Sequence, residues 1–306
     1  MTRIAFLGPR GTFAEAALRT LTISEGAELI PAVSVHAAIE MVRLGTADLG
    51  LVPIENSVEG AVTLTLDELS NGSALEIVDE AVLAVQFSLV APQGVSLSDI
   101  SRIATHPHAH AQVRAWLRAN LPDAVVLPAL STAAAAAGLL ESPRSYDAAI
   151  SQSITAEIYG LQILADQIGD ENEATTRFVL VSKPGSSPAP TGADKTTLSL
   201  FMRQDHPGAL LAILTEFAVR GVNLTRIESR PTRKALGDYY FSVDIEGHVA
   251  DARVAEALMG LHRICLDVRY LGSYPRHDGK SPVLQPGVTD SDFADATTWL
   301  RNLKGN

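Results

Sequence analysis

The sequence predicts an α/β protein in which an alternating αβ body is followed by a ferredoxin-like βαββαβ domain. Three observations predict it. Short apolar strands and amphipathic helices alternate through the first half of the chain, ending in the strand 175–181. The segment Lys183-Pro-Gly-Ser-Ser-Pro-Ala-Pro-Thr-Gly-Ala-Asp194 has no apolar periodicity and reads as a linker. Beyond it the order changes to strand, helix, strand, strand, helix, strand.

Bulk composition narrows the class. A chain of 306 residues fits two domains, the first of them divided. Cys265 is the single cysteine, so no internal disulfide forms and a reducing compartment is expected. The chain enters the strand 3–7 without a basic and apolar leader, and its most apolar run, 81–92, is broken by Gln86 and Ser88 and too short to span a bilayer. The expectation is a soluble, cytoplasmic protein with no membrane partner. Residues 1–183 carry 10 Lys/Arg against 21 Asp/Glu, whereas residues 184–306 carry 14 of each. Such a body repels polyanions, so no nucleic-acid partner is expected, and an anionic ligand must be held by local donors.

In order, Ile4-Ala-Phe-Leu7 is a strand, Gly8-Pro-Arg-Gly11 a turn, and Thr12 the N-cap of a helix through Leu21. A glycine turn entering a helix presents free N–H groups. Its G-x-x-G spacing is not the dinucleotide fingerprint, and no acidic residue closes the second strand, so nicotinamide binding is not expected. A strand over 28–33, a helix opened by Ser34 over 35–44 and a strand over 48–52 follow. The loop Pro53-Ile-Glu-Asn-Ser-Val-Glu-Gly60 then sets polar side chains at the carboxyl end of a buried strand, where αβ sheets hold ligands. The plainer alternative is a solvated turn with Ser57 capping a helix over 61–69.

Residues 75–91 read as a strand pair or crossover, after which the pattern restarts: strand 102–105, helix 107–119, strand 124–127, helix from Ser131, strand 147–151. This is an internal repeat. Pro31-Ala-Val-Ser34 aligns with Pro128-Ala-Leu-Ser131, and Asp48-Leu-Gly-Leu with Asp147-Ala-Ala-Ile. Two such lobes would place Ser34 and Ser131 at equivalent helix starts able to grip an anion, although strand–Ser–helix is also ordinary capping grammar. His106 and His110 have the i,i+4 spacing of a metal pair, but no acidic or thiol ligand follows nearby and capping accounts equally well for the segment. No serine stands in a nucleophile elbow. Thr175-Thr176-Arg177, at the mouth of the last strand, fits either β-propensity with a surface ion pair or a functional site.

After the linker, 196–203 is a strand and Pro207-Gly-Ala-Leu210 opens a helix ended by Gly221. Strands over 222–228 and 239–245, a helix carrying Val254, Ala257, Leu258 and Leu261 on one face, and a strand over 265–271 complete the domain. The tail from Arg276 is polar and Pro-rich, with a short amphipathic helix near 293–303.

Taken together, Gly8-Pro-Arg-Gly-Thr-Phe13, Pro53-Ile-Glu-Asn-Ser-Val-Glu-Gly60, His106-Pro107 with Ala111-Gln112, Ser131-Thr-Ala-Ala134, Thr176-Arg-Phe178, Pro207-Gly-Ala-Leu210 and Gly221-Val-Asn-Leu-Thr-Arg-Ile-Glu-Ser-Arg-Pro231 resemble the prephenate dehydratase family with its C-terminal ACT regulatory domain. The resemblance covers nearly the whole chain apart from linker and tail. It departs in two places: Ala174 stands where the family has Asn, with Asn172 two residues earlier, and His108 and His110 follow the His-Pro pair.

The resemblance implies a two-lobed, periplasmic-binding-protein-like α/β catalytic domain over 1–183 (lobes 1–75 plus 168–183, and 76–167), a linker over 184–194, an ACT domain over 195–275 and a tail over 276–306. It implies decarboxylative dehydration of prephenate to phenylpyruvate, with no redox cofactor, metal or covalent nucleophile. Thr176 is the implied hydrogen-bond donor to the departing hydroxide, and Arg177, Glu55, Asn56, Ser57 and His106 complete the catalytic set. Thr12, Ser34, Ser131 and Gln112 would bind substrate. Gly208, Ala209, Leu210, Asn223, Glu228, Ser229 and Arg230 would receive phenylalanine as effector between paired ACT domains of a homo-oligomer, a dimer or tetramer. With no helical chorismate mutase segment read before Met1, that second activity is not expected. Arogenate dehydratase and a non-catalytic amino-acid sensor are the alternatives.

Overall fold

The computed structural model describes residues 1–58, 60–170, 174–204, 206–233 and 238–305. Glu59 and Asn172, named above, lie outside them. The chain runs β1 (Arg3–Leu7), α1 (Phe13–Leu18), β2 (Glu28–Ala32), α2 (Val35–Leu44), β3 (Leu49–Asn56), β4 (Gly60–Ala61), α3 (Thr63–Ser70) and β5 (Glu76–Ala84). It continues with β6 (Ser88–Ala91), β7 (Arg102–Thr105), α4 (Pro107–Ala111), α5 (Arg114–Asn120), β8 (Val125–Pro128), α6 (Thr132–Gly138), β9 (Ala148–Ser151), α7 (Ile154–Tyr159), β10 (Gln162–Ala165) and β11 (Thr175–Ser182). The last part comprises β12 (Asp194–Phe201), α8 (Ala209–Ala218), β13 (Leu224–Pro231), β14 (Tyr239–Glu246), α9 (Ala252–Ile264), β15 (Asp267–Pro275) and α10 (Asp290–Leu303).

Three sheets organise these strands. The first has the order β2-β1-β3-β11-β5, with β4 pairing back on β3; the second is β10-β6-β9-β7-β8; the third is β13-β14-β12-β15. Compact packing divides the chain into residues 1–62 with 81–178, and residues 63–80 with 179–306. Among the described residues no helix is long and apolar enough to cross a membrane.

The first unit is built from two αβ lobes, one on each of the first two sheets. Their strands are apolar on both faces because helices cover both sides. In the second sheet Leu89 and Ala91, Ile103, and Ala148 and Ile150 enter one core, while Val90, Ala104 and Ala149 enter the core on the other face. The repeat is visible in hydrogen bonds. Asp48 accepts the Arg3 N–H at 2.8 Å, and Asp147 accepts the Ser101 and Arg102 N–H groups at 2.9 and 2.8 Å, each tying the start of one parallel strand to its neighbour. Ser34 and Ser131 cap α2 and α6 by accepting from Ala37 and Ala134 N–H at 3.0 and 2.9 Å.

Several elements differ from expectation. β3 runs on to Asn56 and pairs Glu55 with Ala61 and Asn56 with Gly60, so the expected loop 53–60 is largely a hairpin. Ser57 does not cap α3; it faces Thr175 instead. The helix expected over 107–119 is two helices, because the Asp170 carboxylate accepts the N–H groups of Ala115 and Trp116 and starts α5 afresh. The helix begun at Thr12 ends at Leu18 instead of Leu21. β5 joins the first sheet, so the lobe boundary expected at 75/76 falls before a first-lobe strand. α7 and β10 were not anticipated; β10 owes its pairing to β6, some 70 residues earlier in the chain.

The second unit contains the βαββαβ domain. Side chains alternate along its sheet: Leu198, Leu200, Phe241, Val243 and Ile245 face the α8 and α9 residues Phe217, Val254, Ala257 and Leu261. The opposite face is polar yet buried, because segment 63–80 belongs to this unit. There Ser70 and Ser199 hydroxyls lie 2.7 Å apart, and Lys195 Nζ contacts both Glu80 oxygens at 3.0 and 2.9 Å. Gly272 is required at this junction: its φ is +122°, and a Cβ there would stand 2.2 Å from the Ile77 carbonyl oxygen. The tail helix expected near 293–303 starts earlier, at Asp290, where Thr289 and Asp292 form a capping box.

Candidate active site

A cavity of about 510 Å³ opens in the first unit at the carboxyl ends of its parallel strands, lined from both lobes. Three helix starts reach it: Thr12, Phe13 and Ala14 at α1; His106, His108 and Ala109 at α4; and Leu130, Ser131 and Thr132 at α6. Caps use part of each set, since Thr12 accepts the Glu15 N–H, His106 the His108 N–H and Ser131 the Ala134 N–H, and Pro107 has no N–H; the other first-turn N–H groups have no carbonyl partner within their helix and suit carboxylates. Phe13, Phe87 and Phe178 supply apolar wall, Phe13 and Phe87 packed edge to face at 5.7 Å.

Thr176, the residue the resemblance singles out, is one of those that meet at the cavity. Thr176 lines the cavity beside Phe178, as two residues on one face of a strand must. Its Oγ1 accepts from Asn56 Nδ2 at 2.8 Å, and Asn56 Oδ1 in turn accepts the Val58 N–H at 2.8 Å, which fixes the amide's orientation. Ser57 registers the same strand: its N–H donates to Thr175 O and its Oγ accepts from Thr175 N–H, both at 2.9 Å.

Not every expected residue joins the cavity. Thr12, Asn56, His106, Gln112, Ser131 and Thr176 line it together; Arg177, Glu55, Ser57 and Ser34 do not. Arg177 follows Thr176 in a strand and so points to the opposite face, where its nearly buried guanidinium lies 3.6 Å from Glu55. Thus it is not placed to hold a cavity ligand. Ser34 and Ser131 make the same cap, but only Ser131 lines the cavity. In exchange, His108 and the apolar pair Val33 and Leu130 line the cavity without having been anticipated. His106 Nδ1 accepts the His108 N–H at 3.3 Å, so in the neutral ring the proton sits on Nε2.

The turn 8–11 is clasped by α7 of the other lobe. Tyr159 donates to the Arg10 carbonyl at 2.9 Å, and burial, followed by the nearby Glu15 carboxylate, pushes the Tyr159 phenol up. Gly11 has φ +83°, and any Cβ would meet Thr155 at 2.8 Å, so the fourth position of Gly-Pro-Arg-Gly admits no larger residue without strain.

In the second unit Gly208, Ala209 and Leu210 line a cavity of about 410 Å³ with Met202, His206 and Phe241. Asn223, Glu228, Ser229 and Arg230 are not among its lining residues. Arg230 instead reaches Asp67 on α3 at 3.1 Å, where Tyr240 Oη also donates at 3.1 Å.

Two lobes closing on a cavity rich in helix-start donors, followed by a ferredoxin-like domain, define an α/β enzyme for a small anionic substrate with an appended regulatory module. Residues 4–186 match the family model described as prephenate dehydratase, and residues 196–263 match that of the ACT domain. A prephenate dehydratase of Amycolatopsis methanolica is 46% identical over 301 residues, 98% of this chain and 97% of the relative. A crystal structure of prephenate dehydratase in complex with L-Phe, from Arthrobacter aurescens, shares 52% identity with a TM-score of 0.93 over 100% of both chains. GqqA, described as a novel type of quorum quenching acylase, matches with a TM-score of 0.79 at 33% identity, over 89% of this chain and 97% of its own. The chain belongs to the prephenate dehydratase family of carbon–oxygen lyases and carries an ACT domain.

Proposed function

We propose that the cavity around Thr176 is where prephenate becomes phenylpyruvate, and that residues 1–183 are the catalytic domain, 184–194 a linker, 195–275 the ACT domain and 276–306 a tail. The observation that carries this is the Asn56–Thr176 bond inside a cavity faced by helix starts. Prephenate is a dicarboxylate cyclohexadienol. As its ring carboxylate leaves as carbon dioxide, the electrons of that bond enter the ring, the opposite hydroxyl departs as hydroxide under a hydrogen bond and takes a proton from solvent to become water, and the ring becomes aromatic. Aromatisation drives the step, so catalysis needs assistance to the leaving hydroxyl and restraint of the substrate.

Thr176 supplies the assistance. Because Asn56 donates to its oxygen, the hydroxyl proton is left for the departing oxygen. A threonine is a weak acid in bulk water, so its effect rests on a fixed position in a water-poor cleft. Ser131, Gln112 and the helix starts hold the carboxylates and orient the ring, which contributes through proximity, while Thr12, whose hydroxyl donates to the Leu7 carbonyl at 2.7 Å, serves by capping the start of α1. His106, whose Nε2 carries the proton, is a further donor. Arg177, Glu55 and Ser57 act one layer out, by fixing the strand that bears Thr176 and the hairpin that bears Asn56. Ser34 serves the site through α2, which it starts.

Phenylalanine acts as feedback effector at the ACT domain, near Gly208, Ala209 and Leu210, with Asn223, Glu228, Ser229 and Arg230 shaping a pocket completed by a second copy in a homo-oligomer. The protein works in the cytoplasm. The test is formation of phenylpyruvate from purified prephenate, with and without phenylalanine, beside arogenate at equal concentration. Turnover of prephenate and its slowing by phenylalanine are expected. Faster turnover of arogenate would reassign the substrate, and binding of phenylalanine with no turnover of either would make the chain a sensor.

A further inference from the structure

Val33 and Leu130 are among the most exposed large apolar side chains, at 95% and 96%, and both line the active-site cavity. They are also equivalent positions of the internal repeat, in Pro31-Ala-Val-Ser34 and Pro128-Ala-Leu-Ser131. Each follows an edge strand that lies parallel to its inner neighbour, β2 on β1 and β8 on β7. Each immediately precedes the serine that caps the next helix.

An apolar residue at that position ordinarily packs down on the fourth residue of the helix and staples the turn. Here the fourth residues, Ala38 and Ala135, are buried small side chains, and neither Val33 nor Leu130 covers them. Two unstapled apolar groups therefore stand in water at the mouth of one cavity, one from each lobe. Below them the lining joins apolar wall to helix-start donors, a pattern that matches a ring bearing carboxylates.

We propose that Val33 and Leu130 are a pair of substrate-binding jaws that close on the two faces or edges of a six-membered carbon ring and expel water from the cavity when ligand binds. The proposal rests on the assignment of the cavity to prephenate. The carboxylates are gripped at the helix starts, and the ring is recognised by the jaws. Because both side chains are solvated in the free protein, their burial belongs wholly to the bound state, so they act on substrate affinity and not on folding.

The test uses the full chain with Val33→Ser, Leu130→Ser, the double variant and the conservative Leu130→Met, assayed for phenylpyruvate formation and thermal unfolding. Each serine variant is expected to raise KM for prephenate about tenfold, the change of about 1.4 kcal/mol that partial burial of one such side chain supplies. The unfolding temperature should stay at the wild-type value, and Leu130→Met should restore KM. The double variant should lose less than the product of the single effects, because both groups close on one ring. Unchanged KM in both serine variants, with wild-type turnover intact, overturns the jaws while sparing the activity. An equal drop in unfolding temperature and KM effect also overturns them, since the role would then be structural. A wild-type chain that does not turn over prephenate fails the assignment itself, and the jaws with it.

Discussion

Asn56 Nδ2 donates to Thr176 Oγ1 at 2.8 Å across 120 residues of sequence. This direction of donation decides what the threonine can do. With its oxygen accepting from Asn56, the Thr176 hydroxyl is able to donate toward the cavity it lines. Asn56 thereby positions the Thr176 hydroxyl, and Val58 N–H and the 55–61 hairpin position Asn56.

Thr176→Ala is expected to lower kcat at least ~10²-fold with the fold intact, the scale of one positioned proton donor. Thr176→Ser keeps the hydroxyl and should retain part of the rate. Near-normal turnover by a folded Thr176→Ala protein would remove the threonine from the mechanism.

Asn56→Asp tests the direction of that bond. A carboxylate has no proton to give at neutral pH, so the threonine would turn its hydroxyl toward residue 56 and away from the substrate. The expected result is a loss in kcat of about tenfold or more with a smaller change in KM. An Asn56→Asp enzyme as fast as the wild type would show that the bond's direction is immaterial.

Exhaustive chelation should leave turnover unchanged, since aromatisation drives the reaction and the leaving group is an oxygen that a hydroxyl can assist. Activity lost with the chelator and restored by one divalent ion would contradict this.

The repeat predicts an acid-dependent contribution to stability. Asp147 is partly buried, which alone would raise its carboxyl, but the Ser101 and Arg102 N–H groups and the Ser101 hydroxyl bind the charged form and hold it below its ordinary value. A carboxyl lower in the folded than in the unfolded chain adds stability above the ordinary carboxylate range, and that stability is lost as pH falls toward the folded value. Asp147→Asn should therefore lower the unfolding temperature at neutral pH by no more than about 2 °C, because solvent screens this largely exposed group, and the gap should close below about pH 4. A gap that persists undiminished in acid would mean that the charge is irrelevant.

Much of the fold was legible because its signals are local. α2 and the start of α6 follow directly from serine caps and apolar spacing, and the βαββαβ order from period changes. Legibility failed where a distant segment decides the local structure: Asp170 divides the helix expected over 107–119, and β10 exists only through β6. The same rule governs the site. Phe178 could have been inferred from Thr176 by strand alternation, and alternation equally argues against Arg177 as a cavity residue. Val33 and Leu130 were visible in the repeat but not as cavity residues, because exposure is not written in sequence. Arg230 was expected at the effector pocket, whereas its partner Asp67 lies 163 residues earlier in the chain.

The last prediction concerns control. Gly208, Ala209 and Leu210 open α8 beside a cavity, and first-turn N–H groups there can receive an amino-acid carboxylate. In the same compact unit, the buried Asp67 collects Arg230, Arg233 and Tyr240, whose phenol burial and the Asp67 charge push up. Asp67 lies on α3, which follows β4 after the single residue Val62, and β4 is the strand that pairs with Asn56. If an effector displaces the Arg230 strand, the chain from Asp67 back through Val62 to β4 is the covalent route by which residue 56 is expected to feel it. Coupling of this kind is typically worth ~1–3 kcal/mol, or about 5–150-fold in affinity. Asn223→Ala should spare basal turnover and abolish the response to phenylalanine by removing its recognition. Arg230→Gln should leave phenylalanine binding measurable by calorimetry but weaken its effect on kcat/KM. Truncation after Lys183 is a poorer test, because it strips partners from Glu80, Ser70 and Asp67 and should lower stability as well. If Asn223→Ala remains as sensitive to phenylalanine as the wild type, the effector is recognised elsewhere. If Arg230→Gln keeps full inhibition, the Asp67 connection does not carry the signal.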